Sequence, residues 1–245
     1  MIIKNWTPVR KALGLSFINP QFFILREERT AVSVAVTKAR GTVVDLGAGD
    51  QLYKDLLLQN AKKYIPVDLK VPLNKQAKDY IRADITKTLP FKNSFCETVC
   101  LLQVLEYIEN PATVFSESFR VLKRNGNLVV SSPFLYPIHD APHDKVRYTK
   151  QALFSLLKKA GFKKIEIQKE SSSFAFLANS LNMFILRSLY HKIKRGGVQK
   201  IVGLFLLPFA GGVCVAVNIV AIFFETIFPG SSDEFPLNYT VVARK

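Results

Sequence analysis

Two histidines, two acids, an arginine and two tyrosines lie within the seventeen residues Pro133–Thr149. Histidine titrates near neutrality, so an imidazole here can take a proton from a substrate hydroxyl. His139 is the first candidate for that base, with Asp144 or His143 orienting it or taking its place. The Arg147 guanidinium can grip a phosphate or carboxylate with two parallel hydrogen bonds, and Tyr136 and Tyr148 offer ring and hydroxyl contacts to the same substrate. A plainer use of these residues is also open. Asp144 and Arg147 can pair with each other across one helical turn, and Tyr148 with Thr149 can cap the helix through Gln151–Ala160. His191, alone in a basic segment, reads as a surface residue.

A second set lies earlier in the chain. Val43-Val44-Asp45-Leu46-Gly47-Ala48-Gly49-Asp50 is an apolar β-branched run that ends in an acid and passes at once into a glycine turn. A buried parallel strand delivers its carboxyl end to a nucleotide-like ligand in this way. Leu52 stands where a dinucleotide fingerprint would want a third glycine, so the loop suits a nucleoside better than a pyrophosphate. Asp68 ends a second apolar run, placed to accept hydrogen bonds from ribose hydroxyls. Asp84, in Arg82-Ala83-Asp84-Ile85, could meet an adenine amino group.

Alternating elements must position these groups. Tyr64–Asp68, Phe95–Leu102 and Asn127–Ser131 read as strands after the first, and Val114, Phe115, Phe119 and Leu122 have helical spacing, with Asn125-Gly126 ending that helix. Strands alternating with helices predict an α/β fold with a doubly wound, mostly parallel sheet. Residues 17–40 read as an amphipathic helix that would pack beside the ligand loop.

The ordered set of Val43–Asp50, Asp68, Ala83-Asp84-Ile85, Gln103–Ile108 and Arg120–Gly126 resembles the class I S-adenosylmethionine-dependent methyltransferases of the type 11 kind. Within that class, Pro133–Thr149 is similar to the motif after the fifth strand in enzymes of bacterial cell-surface polysaccharide clusters. The resemblance covers about residues 40–170. It implies a Rossmann-like seven-stranded sheet and S-adenosylmethionine as cofactor. It also implies roles: Asp45, Gly47 and Gly49 line the methionine moiety, Asp68 takes the ribose, Asp84 with Ile85 holds the adenine, and Leu102 with Gln103 covers the sulfonium. Tyr107 departs from the pattern, since many relatives carry histidine there.

Net charge is +15 and only three cysteines occur, Cys96, Cys100 and Cys214, without zinc-like spacing. A reducing compartment and no structural metal are expected. Lys4, Arg10 and Lys11 precede no long apolar core, so the N-terminus does not read as a secretory signal. The charge does not interleave with aromatics in a nucleic-acid module, which leaves an anionic membrane surface as the expected partner and excludes nucleic acid. Ile201–Phe224 is a run of 24 residues without a charged side chain, longer than the roughly 20 that cross a bilayer. Phe174–Leu186 is a shorter apolar run, and His191–Gly197 with Lys200 forms a basic connector.

Tyr239–Lys245 has the composition of a last, antiparallel strand, with Ile165–Ile167 before it. If both pair in one cytoplasmic sheet, the chain between them crosses a membrane an even number of times or not at all. Two domains are therefore expected: residues 1–170 with 238–245 binding the cofactor, and 171–237 as an apolar helical insertion. A monotopic hairpin bending near Pro208 or Gly211-Gly212, at the inner face of the membrane, is one form of it; a soluble cap or homodimer interface is the other. Three functions follow: O-methylation of a sugar, free or lipid-linked; methylation of a lipid-soluble molecule such as a quinone precursor; and a non-catalytic module docking on a membrane complex.

Overall fold

A computed structural model describes residues 14–69, 80–169, 171–228 and 234–245. Lys4, Arg10 and Lys11 lie outside them. The chain divides into two compact units.

The larger unit, Arg29–Phe134 with Pro142–Glu170 and Asn238–Lys245, is built on a seven-stranded sheet. Its strands are β1 (Gly41–Leu46), β2 (Ala61–Asp68), β3 (Ile81–Arg82), β4 (Cys96–Leu102), β5 (Leu122–Pro133), β6 (Lys164–Lys169) and β7 (Asn238–Arg244). They lie in the order β3-β2-β1-β4-β5-β7-β6, parallel except for β7, which runs antiparallel between β5 and β6. Val43 faces Tyr64 on one side and Thr98 on the other, so β1 is central and needs apolar residues on both faces. On one face Val44, Leu46, Ile65 and Leu101 pack under Phe115 of α3 (Ala112–Val121) and Leu153 of α4 (Lys150–Lys159). On the other, Val43, Cys100 and Val129 meet Val32 and Ala35 of α1 (Phe22–Lys38). A short α2 (Lys54–Leu57) follows the glycine turn.

One boundary differs from expectation. The helix ends at Val121, and Leu122 is already extended and paired with Cys96. Asn125, at φ +64, then bends the strand before pairing resumes at Asn127 with Thr98, so Asn125-Gly126 kinks β5 instead of ending α3.

The second unit gathers the described residues up to Glu28, Leu135–Ala141, and those described between Ser171 and Leu237. Residues 171–237 were expected to stand apart; the segments before Glu28 and around His139 group with them. Its main elements are α5 (Ser173–Arg195) and α6 (Gly197–Ile227). The bend of this hairpin is not at Pro208 or Gly211-Gly212. It falls at Gly196-Gly197, whose φ values of +77° and +53° favour glycine, and Pro208 sits inside α6. Asn182 of α5 donates to Asn218 Oδ1 of α6 at 2.8 Å, and Asn218 donates to the Phe17 and Asn19 carbonyls at 2.7 and 2.9 Å. At the hairpin's open end Arg26 grips Glu225 through two bonds of 2.7 and 2.8 Å. Phe23, Ala175, Ala178, Ala221 and Leu237 form this unit's own core.

Candidate active site

The carboxyl ends of β1, β2 and β4 bring the nucleoside-binding candidates together in the sheet unit. Gly47 leaves β1 at φ +78° with its amide donating to Val67 O at 2.8 Å. A Cβ there would stand 2.5 Å from Val104 Cγ2, so only glycine fits the turn. At Gly49 a Cβ would meet no atom within 4 Å: bare backbone faces open space. The Gly49 amide donates to Asp68 Oδ2 at 3.1 Å, which ties the turn to the acid at the tip of β2.

Asp45 is buried and accepts from the Tyr64 hydroxyl at 2.6 Å. The parallel register, with Asp45 beside Pro66, puts Tyr64 on the same face. Burial pushes the Asp45 carboxyl up to about 6, against the Tyr64 hydrogen bond, with the nearby Asp68 charge adding to the rise. Asp84 closes a local turn, accepting from the Thr86 amide at 3.0 Å and hydroxyl at 2.7 Å, which holds it below its ordinary value. Ile85 and Leu102 are buried beside these groups' strands. Gln103 follows β4 at φ +57°, and its amide donates to Ser131 Oγ at 2.5 Å and Asn238 Oδ1 at 2.9 Å. Its side chain is thus fixed by β5 and β7.

The residues of Pro133–Thr149 divide between the two units. His139 and Tyr136, whose rings meet edge-on at 5.4 Å, belong to the hairpin unit; His143, Asp144, Arg147 and Tyr148 belong to the sheet unit. Both Asp144 oxygens are held by Arg147, Oδ2 by Nη2 at 2.8 Å, and the Asp144 side chain is fully buried. Asp144 and Arg147 thus pair across one turn, the plainer of the uses open to them, and the Arg147 fork holds a carboxylate of its own chain. Tyr148 is buried too, its hydroxyl donating to the Ile108 and Glu109 carbonyls, so it braces the turn after β4 and does not reach out to a substrate. Thr149 caps α4 as expected, accepting from the Ala152 amide at 3.2 Å. The loop around His139 is anchored on α5 instead: Arg187 donates to the Ile138 carbonyl, and the Tyr136 hydroxyl lies 3.9 Å from Met183 Sδ.

Sequence reasoning missed three contributors. Tyr64 could have been found from strand alternation, two residues before the position opposite Asp45. Tyr80, whose hydroxyl lies 3.4 Å from Gly49 O, carries no local signal. Glu106, within Gln103–Ile108, is buried and pushed up to about 7 by that burial, while its carbonyl accepts from the Lys145 and Val146 amides.

The comparisons agree with this geometry. A family model described as a methyltransferase domain matches residues 44–130. An uncharacterized protein of Methanocaldococcus jannaschii is 30% identical over 157 residues, spanning 58% of this chain and 74% of that protein. The chain belongs to the class I S-adenosylmethionine-dependent methyltransferases. Among solved structures, the methyltransferase resembles a SAM-dependent methyltransferase from Archaeoglobus fulgidus, with a TM-score of 0.54 at 15% identity over 92% of this chain and 97% of that one. A phosphoethanolamine N-methyltransferase of Haemonchus contortus, solved with phosphomonomethylethanolamine and S-adenosylhomocysteine, gives 0.52 at 14% identity, covering 88% and 52%. At such identities the likeness is one of fold. The methyltransferase uses S-adenosylmethionine and is an enzyme, not the non-catalytic module. Its residues fit that cofactor: a glycine turn with open space above Gly49, an acid at each of two neighbouring strand tips, and an apolar floor at Leu102.

Proposed function

We propose that this methyltransferase O-methylates a sugar carried on a lipid, working at the inner face of the membrane as a peripheral or monotopic enzyme. The observation that carries the reading is the placement of Leu135–Ala141. This segment holds His139 and belongs with the apolar hairpin, through Arg187 on Ile138 and Tyr136 beside Met183. A base mounted on an apolar, basic unit suits an acceptor whose other end is a lipid. The resemblance of Pro133–Thr149 to enzymes of polysaccharide clusters supports the sugar.

In this reading Asp45, the Gly47–Gly49 backbone and Asp68 hold the donor, with Asp84, Ile85, Leu102 and Gln103 around it. Bound there, S-adenosylmethionine supplies a methyl group that is already electrophilic. The chain's own task is therefore to hold the acceptor hydroxyl in line and remove its proton. His139 takes that proton, with the Tyr136 ring edge-on beside it. Arg147 and Asp144 serve as a buried brace of the neighbouring loop.

A second reading rests on a separate feature. An apolar groove of about 410 Å³ between α5 and α6, lined by Phe174, Leu177, Leu181, Val217 and Phe224 among others, has the size for a lipid-soluble small molecule such as a quinone precursor. The two are separated by supplying methyl-tritiated S-adenosylmethionine to the purified enzyme with a bacterial lipid extract. Label released by mild acid into water-soluble sugar supports the first; label that stays in an acid-stable, lipid-soluble aromatic supports the second.

A further inference from the structure

We infer that the α5–α6 hairpin is an in-plane anchor for anionic bilayers, with α6 sunk among the acyl chains and the basic end of α5 among the headgroups. The inference deepens the membrane placement proposed above and rests on it.

Charge is the first ground. From Ser171 to Phe224 the sequence has no Asp or Glu, but it has Arg187, Lys192, Lys194, Arg195 and Lys200. Four of these five lie within four residues of the bend, and all four are exposed. Such a cluster is attracted to anionic headgroups and makes a poor protein interface core.

The distribution of apolar surface on α6 is the second. Ile201, Phe205 and Phe209 are 69, 70 and 64% exposed, and Val202, Leu204 and Leu207 are exposed as well. At 100° per residue these side chains span about 220° of the helix circumference, too broad for one stripe, and the remaining side carries the buried Gly203, Cys214 and Ala221. A second copy or a flat protein partner would cover one side; a hydrocarbon medium covers every side. The helix has 31 residues and a mean hydropathy of 2.3 over its most apolar window.

Length decides the orientation. The apolar part of α5, Phe174–Leu186, has 13 residues and reaches about 20 Å, short of the roughly 30 Å hydrocarbon core. A crossing hairpin would drag Arg187 and the four cations of the bend into or through that core, which is strongly unfavourable. Lying flat avoids this: the cations of α5 stay at the headgroups while α6 goes deeper. The buried Asn182–Asn218 bond keeps the two helices moving as a pair.

The test is flotation of the full-length protein with vesicles of phosphatidylcholine alone and of phosphatidylcholine with one third phosphatidylglycerol, with no donor or acceptor added. Nitroxides placed through Phe205→Cys and Lys194→Cys report depth. The expected result is capture by anionic vesicles, about tenfold or more over neutral ones, with the preference removed by Lys192→Gln, Lys194→Gln and Arg195→Gln together. The label at 205 should be reached by oxygen and the one at 194 by a polar relaxant. Equal capture by both vesicles overturns the anionic preference, and two labels at equal depth overturn the orientation. Protein that binds S-adenosylhomocysteine yet floats with neither vesicle, or elutes as a dimer instead, overturns the anchor. Because no acceptor is present, each of these failures is distinct from failure of the sugar-labelling assay.

Discussion

Gly49 donates its amide to Asp68 at 3.1 Å, and through that bond the turn after β1 and the acid ending β2 form one structure. The bond couples the backbone that faces open space to the carboxylate at the tip of β2. The adjacent Asp45–Tyr64 bond gives β1 the same kind of tie to β2 one step deeper.

The two glycines of the turn should fail differently. Gly47→Ala puts a methyl 2.5 Å from Val104 in a left-handed backbone, and Val104 is packed in the core. A loss of about 2–4 kcal/mol of stability is expected, from strain and overpacking together. Gly49→Ala, also left-handed but in open space, should cost nearer 1 kcal/mol while reducing cofactor affinity. Thermal melts and binding isotherms of the two variants, compared side by side, check the contrast.

Asp45 should make both stability and donor binding depend on pH, in opposite directions. Burial raises its folded value to about 6, above the unfolded value near 3.9. Its contribution to stability is therefore full below about pH 4 and is lost as pH rises through about 6, a change on the order of 2–3 kcal/mol. Glu106, raised to about 7 by burial, acts with the same sign over a slightly higher range. Affinity for S-adenosylhomocysteine should instead rise as Asp45 ionises to meet the ligand's ammonium, up to about tenfold per pH unit below 6. Asp45→Asn should flatten the affinity profile; a profile unchanged in that variant assigns the dependence elsewhere.

Arg147→Ala should be a stability variant. It leaves the fully buried Asp144 carboxylate without its guanidinium, a change that costs about 3–5 kcal/mol when a buried pair is broken from one side. Denaturant unfolding measures it. A variant of unaltered stability with weakened acceptor binding would return Arg147 to the acceptor role read from its sequence position.

His139→Ala should lower turnover by about 10²–10⁴-fold, the usual worth of a positioned base, with donor affinity unchanged. His143→Ala, in the other unit, is the control and should retain most activity. Single-turnover rates with a lipid-linked acceptor distinguish them.

The sheet was legible because its strands obey strict local chemistry. A buried parallel strand such as Val43–Leu46 must be apolar on both faces, and an acid then glycine at its end has few other uses. Asp68 was found by the same logic. In Pro133–Thr149 the division between Ala141 and Pro142, which puts His139 and Asp144 in different units, leaves no mark in the sequence, where the two lie five residues apart. The hairpin bend was expected near Pro208 or Gly211-Gly212 because proline and glycine both argue against a helix interior. The helix instead runs on through Pro208, and the chain turns at the two positive-φ glycines 196 and 197, which sit among lysines and an arginine.

The most direct measurement is calorimetric titration of the full-length protein, purified in detergent, with S-adenosylhomocysteine. Micromolar binding is expected, weakened about 10–100-fold in Asp68→Ala, whose melting temperature should stay close to that of the unaltered protein. A folded protein that takes up no ligand, or an Asp68→Ala variant that binds as tightly as the parent, would contradict the donor site described at the ends of β1 and β2.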